Sequence, residues 1–189
     1  MKIIVSRTGY TGEDGVEVIL GAKFAKQALG MMIKDFSSDD AAIRPAGLGA
    51  RDSLRLEAGV PLYGHELTDE LDPLSAGLSF AIALDKGDAD EREGRFIGQE
   101  ALKKIAAEGC TQKLVGLKLD GRRSARQGMA VAVEGKSGVV TSGCLSPTLG
   151  YPIALAYVPT DVAAEGTTVS VDLAGGTDAL IVPTPFYKR

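Results

Sequence analysis

KLVGLKL, residues 113–119, is where the chain changes character. From here onward the sequence runs in short β-rich pieces: KLVGLKL at 113–119, MAVAV at 129–133, SGVVTSG at 137–143, PIALAYV at 152–158, TTVSVDL at 167–173 and DALIVPT at 178–184. Clusters of Gly, Asp and Pro separate them, and no helical period intervenes. Six strands at this spacing, rich in Val, Ile, Leu and Thr, predict a small antiparallel barrel or sandwich.

Upstream the texture is mixed. IIVS at 3–6 and GVEVIL at 15–20 read as two short strands joined by a glycine-rich loop. The stretch 23–35 places Phe24, Ala28, Met31 and Met32 at helical spacing. GLGARDSLRLEAG at 47–59 reads as a second helix that Gly59 closes. A loop-rich region follows, with a short helix expected after Pro73, a strand near 78–84 and a solvated charged link at 85–95. FIGQEALKKIAAEG at 96–109 reads as a further helix. The boundary falls at 110/111, giving a first unit of residues 1–110 and a barrel unit of residues 111–189. Two strands and about three helices make a thin first unit, because a two-stranded sheet is marginal alone.

Composition narrows the class. The 189 residues are 44% apolar and 24% charged, which is ordinary for a globular chain able to bury a core. A net charge of -4 disfavours non-specific nucleic-acid binding, which draws on an excess of Lys and Arg. No apolar run approaches the roughly 20 residues that cross a bilayer. The two cysteines, Cys110 and Cys144, form no Cys-x-x-Cys pair, and the one histidine, His65, has no ligand-spaced partner, so no metal site is expected. Nor is there a Gly-x-Ser-x-Gly elbow to support a hydrolytic triad.

The remaining chemistry gathers in a few places. Glu17 sits in the apolar strand GVEVIL, on the face opposite Val16 and Val18. It either points to solvent or lines a pocket whose ligand donates hydrogen bonds, since an unpaired buried carboxylate is costly. A ring with adjacent N–H and NH2 groups, such as a pterin, meets that need. The loop before it carries Gly9, Gly12 and Gly15 but lacks both the phosphate-loop ending and the dinucleotide fingerprint. Tyr10 in that loop offers a flat apolar face with a polar tip. Arg51 and Arg55 are one turn apart on the second helix, with Asp52 and Glu57 near enough to pair locally. They form either surface ion pairs or an inward guanidinium that fixes an acidic neighbour or stacks on a ring. GRRSARQG at 121–128 is a basic turn, with Arg122, Arg123 and Arg126 exposed to solvent or to an acidic partner.

Taken together, YTGEDGVE at 10–17, AGLGARDSLRLEAGVPLYGHEL at 46–67, GRFIGQEAL at 94–102, GRRSARQG at 121–128 and TSGCLSPTLG at 141–150 resemble, in order and spacing, the glycine cleavage system T-protein family. The resemblance covers nearly the whole chain. It implies an aminomethyltransferase that takes a one-carbon unit from the aminomethyl-lipoyl arm of the H-protein. That unit passes to tetrahydrofolate with release of ammonia. It also implies that Glu17 holds the pterin ring and that Arg51, with Arg55 nearby, belongs to the folate pocket. Tyr10 would form pocket wall, and an aromatic residue near the C-terminus, Tyr187 before Phe186, would contact folate. The expected fold class is α+β, a partial α/β folate-binding region followed by a small six-stranded antiparallel β-barrel.

The departures from the family are as informative. Family members are roughly twice as long, and their N-terminal half carries the catalytic aspartate. The chain therefore resembles the C-terminal half, with no catalytic residue of its own, and is expected not to catalyse transfer alone. The missing N-terminal half of the same protein becomes an expected partner, beside the lipoylated H-protein and tetrahydrofolate. Bacterial cytoplasm, or the mitochondrial matrix in a eukaryote, is the expected setting. Two other readings share the module: a tetrahydrofolate-dependent demethylase, and a non-catalytic folate-binding protein of iron–sulfur assembly. The second lacks support at Phe96, near where that branch carries a cysteine.

Overall fold

The computed structural model of the chain describes residues 2–32, 43–88 and 94–188. Its centre is a closed antiparallel barrel of six strands: β3 (Gln112–Leu119), β4 (Ala130–Val133), β5 (Lys136–Leu145), β6 (Pro152–Pro159), β7 (Thr168–Val171) and β8 (Thr177–Val182). Around the barrel the order is β3-β6-β5-β4-β7-β8, with β8 closing onto β3. Closure leaves no strand edge unpaired. Alternate residues fill the interior, among them Val115, Leu117, Val131, Val140, Ala156 and Ile181.

β6 departs from simple alternation, because Pro152 through Val158 are all buried. Ala154, Ala156 and Val158 face the barrel interior. Ile153 and Leu155 face outward, yet they are covered by Leu56 of the second helix and by Leu114, Leu149 and Phe186. A strand covered on both faces must read as a continuous apolar run, and PIALAYV does.

β5, beside it, carries a bulge. Val140 pairs with Ala156, but Ser142 pairs with Leu155, so Thr141 is the extra residue. Unbroken register would set Ser142 against Ala154 and turn its hydroxyl into the apolar interior. The inserted residue moves Ser142 to the outer face, beside Leu155, where the second helix lies.

The first part of the chain is thinner. β1 (Ile3–Ser6) and β2 (Glu17–Leu20) form an antiparallel hairpin, with Ser6 opposite Glu17 and Ile3 opposite Leu20. α1 (Ala22–Met32) follows and buries none of its residues. Ile4, Val5, Val18, Ile19 and Met31 are all exposed, so the hairpin and α1 present an apolar surface without cover among the described residues. α2 (Leu48–Glu57) occupies the expected second helix and ends as expected at Gly59, whose N–H bonds the carbonyl of Leu56. α3 (Gln99–Glu108) occupies the expected third.

Two local expectations fail. The strand near 78–84 is instead a 3-10 turn, Ser79–Ala81. Leu78 N–H bonds Pro73 O and Ala81 N–H bonds Leu78 O, so the backbone is spent on local turns and has no strand to pair with. The helix after Pro73 is a run of turns ending at Gly77, with Asp72 accepting from the backbone and hydroxyl of Ser75. The end of the expected first helix, 33–35, and positions 89–93 of the charged link lie outside the described residues.

Candidate functional site

The long loop between β1 and β2 comes down onto α2. Gly12 makes the approach possible: its φ is +72°, and a Cβ there would sit 2.5 Å from the Cβ of Ala58. No residue with a side chain fits both conditions. Beside it Tyr10 is half-buried and donates its hydroxyl to the carbonyl of Pro61. The guanidinium of Arg51 lies over the Tyr10 ring, 4.7 Å from its centroid, a cation–π contact. Burial raises the Tyr10 phenol above its ordinary pKa, against the pull of Arg55, which keeps the hydroxyl a donor. Glu17 stands at the base of the same loop, exposed, and accepts a hydrogen bond from Thr8.

Arg55, one turn on from Arg51, has the opposite environment. It is 1% exposed. Nε donates to Asp52 at 2.8 Å, Nη1 to Val60 O at 3.3 Å and Glu66 Oε2 at 2.9 Å, and Nη2 to Ser142 Oγ at 2.7 Å. Nη2 also lies 2.8 Å from Asp52 Oδ1. Every nitrogen of the guanidinium is thus engaged by protein. Buried and occupied in this way, Arg55 holds other groups of the site. Glu66 is fully buried; its Oε2 also accepts from Leu62 N at 2.9 Å, while Oε1 has no partner among the described residues. His65 lies alongside, with Nδ1 3.0 Å from the Thr141 carbonyl and 3.2 Å from Ser142 Oγ.

Glu57, at the end of α2, does not pair with an arginine. Its side chain turns to the barrel loop after β5, where Ser146 Oγ donates to Oε1, Thr148 N–H to Oε1 at 3.1 Å and Thr148 Oγ1 to Oε2 at 2.7 Å. The motifs LRLEAG and TSGCLSPTLG, far apart in sequence, are therefore two halves of one joint. Gln99 has a similar part in GRFIGQEAL: it is buried and donates to the carbonyls of Leu84 and Lys86 at 2.8 Å each. GRRSARQG touches the same region through Gln127, which donates to Gly64 O at 2.9 Å, while Arg122, Arg123 and Arg126 are exposed.

At the C-terminal end Phe186 packs into the outer cluster with Leu56 and Leu155, and the Tyr187 N–H bonds the carbonyl of Glu57 at 3.0 Å. A largely apolar cleft of about 660 Å³ runs between Ala58–Pro61, the turn at 76–80, and Leu114, Leu155, Thr184 and Pro185. Its size is within the usual range for small-molecule clefts. Among the described residues no group of His, Cys, Asp and Glu is arranged to hold a metal ion.

This joining of loop, helix and barrel matches known proteins. The family model described as GCVT N-terminal domain matches residues 1–86, and that described as glycine cleavage T-protein C-terminal barrel domain matches residues 112–188. The chain belongs to the glycine cleavage T-protein family. It is 50% identical over 189 residues to an aminomethyltransferase of Rubrobacter xylanophilus, covering 100% of this chain and 47% of that relative. An aminomethyltransferase of Symbiobacterium thermophilum is 47% identical, with 98% and 48% covered. The crystal structure of glycine cleavage system aminomethyltransferase T from Bartonella henselae superposes with a TM-score of 0.86 at 35% identity, covering 98% of this chain and 50% of that one. The chain spans about half the length of the curated relatives it matches.

Of the residues that the sequence singles out, the T-protein fold brings Tyr10 and Arg51 into contact and sets Glu17 at the base of their loop. Arg55 is withdrawn into the joint, and Tyr187 follows an inward Phe186. Sequence reasoning gave Glu57 an arginine as its local partner, where Ser146 and Thr148 hold it, and missed Glu66, Gln99 and Ser142. All four sit in the motifs that carry the family resemblance, which was the available signal. Glu57 and Gln99 take backbone groups and hydroxyls as partners, and Glu66 and Ser142 share Arg55 from distant positions, which no local charge pattern marks.

Proposed function

We propose that this chain supplies the folate-holding wall of a tetrahydrofolate-dependent aminomethyltransferase. The observation that carries the reading is the Arg51–Tyr10 stack on the loop that ends at Glu17. A flat aromatic with a cation above it and an accessible carboxylate a few residues away suit a flat heterocycle with adjacent N–H donors. Glu17 would accept from the pterin N–H and NH2 groups, and Tyr10, Arg51 and Tyr187 would border the ring and its extension. None of these residues moves a proton in this reading; they orient the folate nitrogen that receives the carbon. The whole reaction would transfer the one-carbon unit from aminomethyl-lipoyl H-protein to tetrahydrofolate with release of ammonia. Its electrostatic stabilisation would come from a carboxylate outside this chain.

The remaining half of such an enzyme would cover the apolar hairpin and α1, and residues 1–110 and 111–189 would act as two units. Arg122, Arg123 and Arg126 would face the lipoylated H-protein. No helix among the described residues is long and apolar enough to cross a membrane, and the proposed setting is cytoplasmic. Calorimetry with tetrahydrofolate tests the reading. Weak binding is expected, lost in Glu17→Gln with folding unchanged. An unfolded Glu17→Gln would instead assign that residue to structure, and identical binding by the variant would remove it from the site.

A further inference from the structure

We propose that the buried Arg55–Glu66 pair is a positioning device for the Tyr10–Arg51 stack, acting through the peptide segment 60–62. Arg55 Nη1 donates to the carbonyl of Val60, and Glu66 Oε2 accepts from the N–H of Leu62. These two groups flank Pro61. With the residues on either side gripped, the Pro61 carbonyl has one orientation, and it is the acceptor for the Tyr10 hydroxyl. Tyr10 in turn is the ring beneath Arg51. The chain of contacts runs from a fully buried ion pair to a partly exposed ligand-facing pair in three steps.

Three features separate this arrangement from simple stabilisation. First, a buried ion pair is weak support for stability, because desolvating both charges offsets most of their attraction. Second, Glu66 Oε1 has no partner among the described residues, and a pair serving stability alone has no reason to bury an orphaned acceptor. Third, the pair is anchored to the barrel at a built feature: Arg55 Nη2 reaches Ser142 Oγ, which faces outward because of the bulge at Thr141. The Tyr157 hydroxyl of β6 likewise holds the Glu66 carbonyl at 2.8 Å. The barrel is thus the fixed reference from which segment 60–62, and then Tyr10, takes its place. The planar fork is essential here, since Arg55 grips Asp52, Val60, Glu66 and Ser142 at once and a lysine ammonium has three donors on one atom.

The ligand half of this inference rests on the folate reading; the positioning half does not. The test is NMR of the full chain carrying labelled Arg and Tyr, together with calorimetry against tetrahydrofolate. Wild type should show Arg51 side-chain protons shifted upfield by the Tyr10 ring, and a Tyr10 phenol titrating above the ordinary range. In Arg55→Lys both signatures should relax by more than half, and tetrahydrofolate affinity should fall about tenfold. Methyl signals of Val131 and Ile181 inside the barrel should stay in place. Unchanged Arg51 and Tyr10 signals in a folded Arg55→Lys, whatever its melting temperature, overturn the proposal. If Arg55→Lys does not fold, Glu66→Leu, which removes the acceptor of the Leu62 N–H, is read by the same signals. A folded Glu66→Leu that leaves Arg51 and Tyr10 unmoved overturns the proposal equally. Wild type that binds no tetrahydrofolate sinks the folate reading alone, and the NMR signals still decide the positioning role.

Discussion

Glu57 offers the sharpest quantitative test of how α2 is held. It is buried at 2% exposure, sits at the negative end of a helix, and has no cation within ion-pair distance among the described residues. Three donors hold it: Ser146 Oγ and Thr148 N–H on Oε1, and Thr148 Oγ1 on Oε2. In Glu57→Gln, the amide oxygen keeps the first two. The new NH2 group donates to Thr148 Oγ1, whose own proton turns to solvent because Thr148 is exposed. Every buried group stays satisfied. The two retained bonds lose charge assistance, at about 1 kcal/mol each. Removing an unpaired buried charge from the end of a helix returns about the same amount. The expected change is within about 1 kcal/mol of wild type. Glu57→Ala, by contrast, orphans the Ser146 hydroxyl and the Thr148 N–H, at about 1–3 kcal/mol each, and opens a void beside them. It should cost roughly 3–5 kcal/mol. Urea unfolding at pH 7 measures both. A Glu57→Gln as damaging as Glu57→Ala would refute the reasoning, because the negative charge rather than the acceptor geometry would then be what the joint requires.

Other consequences follow from the same contacts. Burial, and then the Glu57 charge, pushes the Cys144 thiol up to about 11 from an ordinary 9.0, so the rate–pH profile of its alkylation should shift to lower pH in Glu57→Gln. Burial, and then Glu66, pushes the Tyr157 phenol up to about 12 from 10.0. Both groups are acids with raised folded-state values, so the unfolded chain releases these protons first. Stability should fall from pH 9 to 12, and Cys144→Ala should remove the part between 9 and 11, as followed by urea midpoints. Gly12→Ala should cost about 2–4 kcal/mol locally, from the left-handed backbone and the overlap with Ala58. Hydrogen exchange should speed in the β1–β2 hairpin and not in β6; acceleration in both would place the loop in the barrel's cooperative unit.

The barrel was legible in the sequence because each strand states its own period and is punctuated by turn residues. PIALAYV read only as one of six strands, although its unbroken apolar run fits the cover that both faces of β6 have. The thin first unit was legible for the same reason, since two β-runs cannot make a self-sufficient sheet. What failed was contextual. The apolar run at 78–84 has strand composition but no neighbour to pair with, so local turns win. Arg51 and Arg55 lie on one helical stripe and look alike. They separate only because the hairpin loop docks over the first and the barrel over the second. The bulge at Thr141 left no mark in TSG, although it decides which way Ser142 faces. The Glu57 site was hidden because sequence reasoning pairs carboxylates with arginines, whereas here a backbone N–H and two hydroxyls hold the charge.

Buried Glu57 and Arg55 together explain why the barrel matters to a site that it does not line. Glu57 fixes the C-terminal end of α2 to the loop after β5. Arg55, in the same last turn, fixes it to Ser142, within β5 itself. Two attachment points on one strand and its following loop remove the freedom of α2 to roll or slide, which a single apolar contact through Leu56 would leave. Arg51 is one turn further along the same helix, so its direction is set by those two points rather than by anything it touches. A change at Ser142 or Thr148 should therefore be felt at Tyr10, with neither residue near a ligand. The double variant Ser142→Ala/Thr148→Val measures this. If α2 is held at both points, its effect on the Arg51 ring-current shift exceeds the sum of the two single effects. Strict additivity would mean that α2 is held elsewhere and that the barrel is only a neighbour.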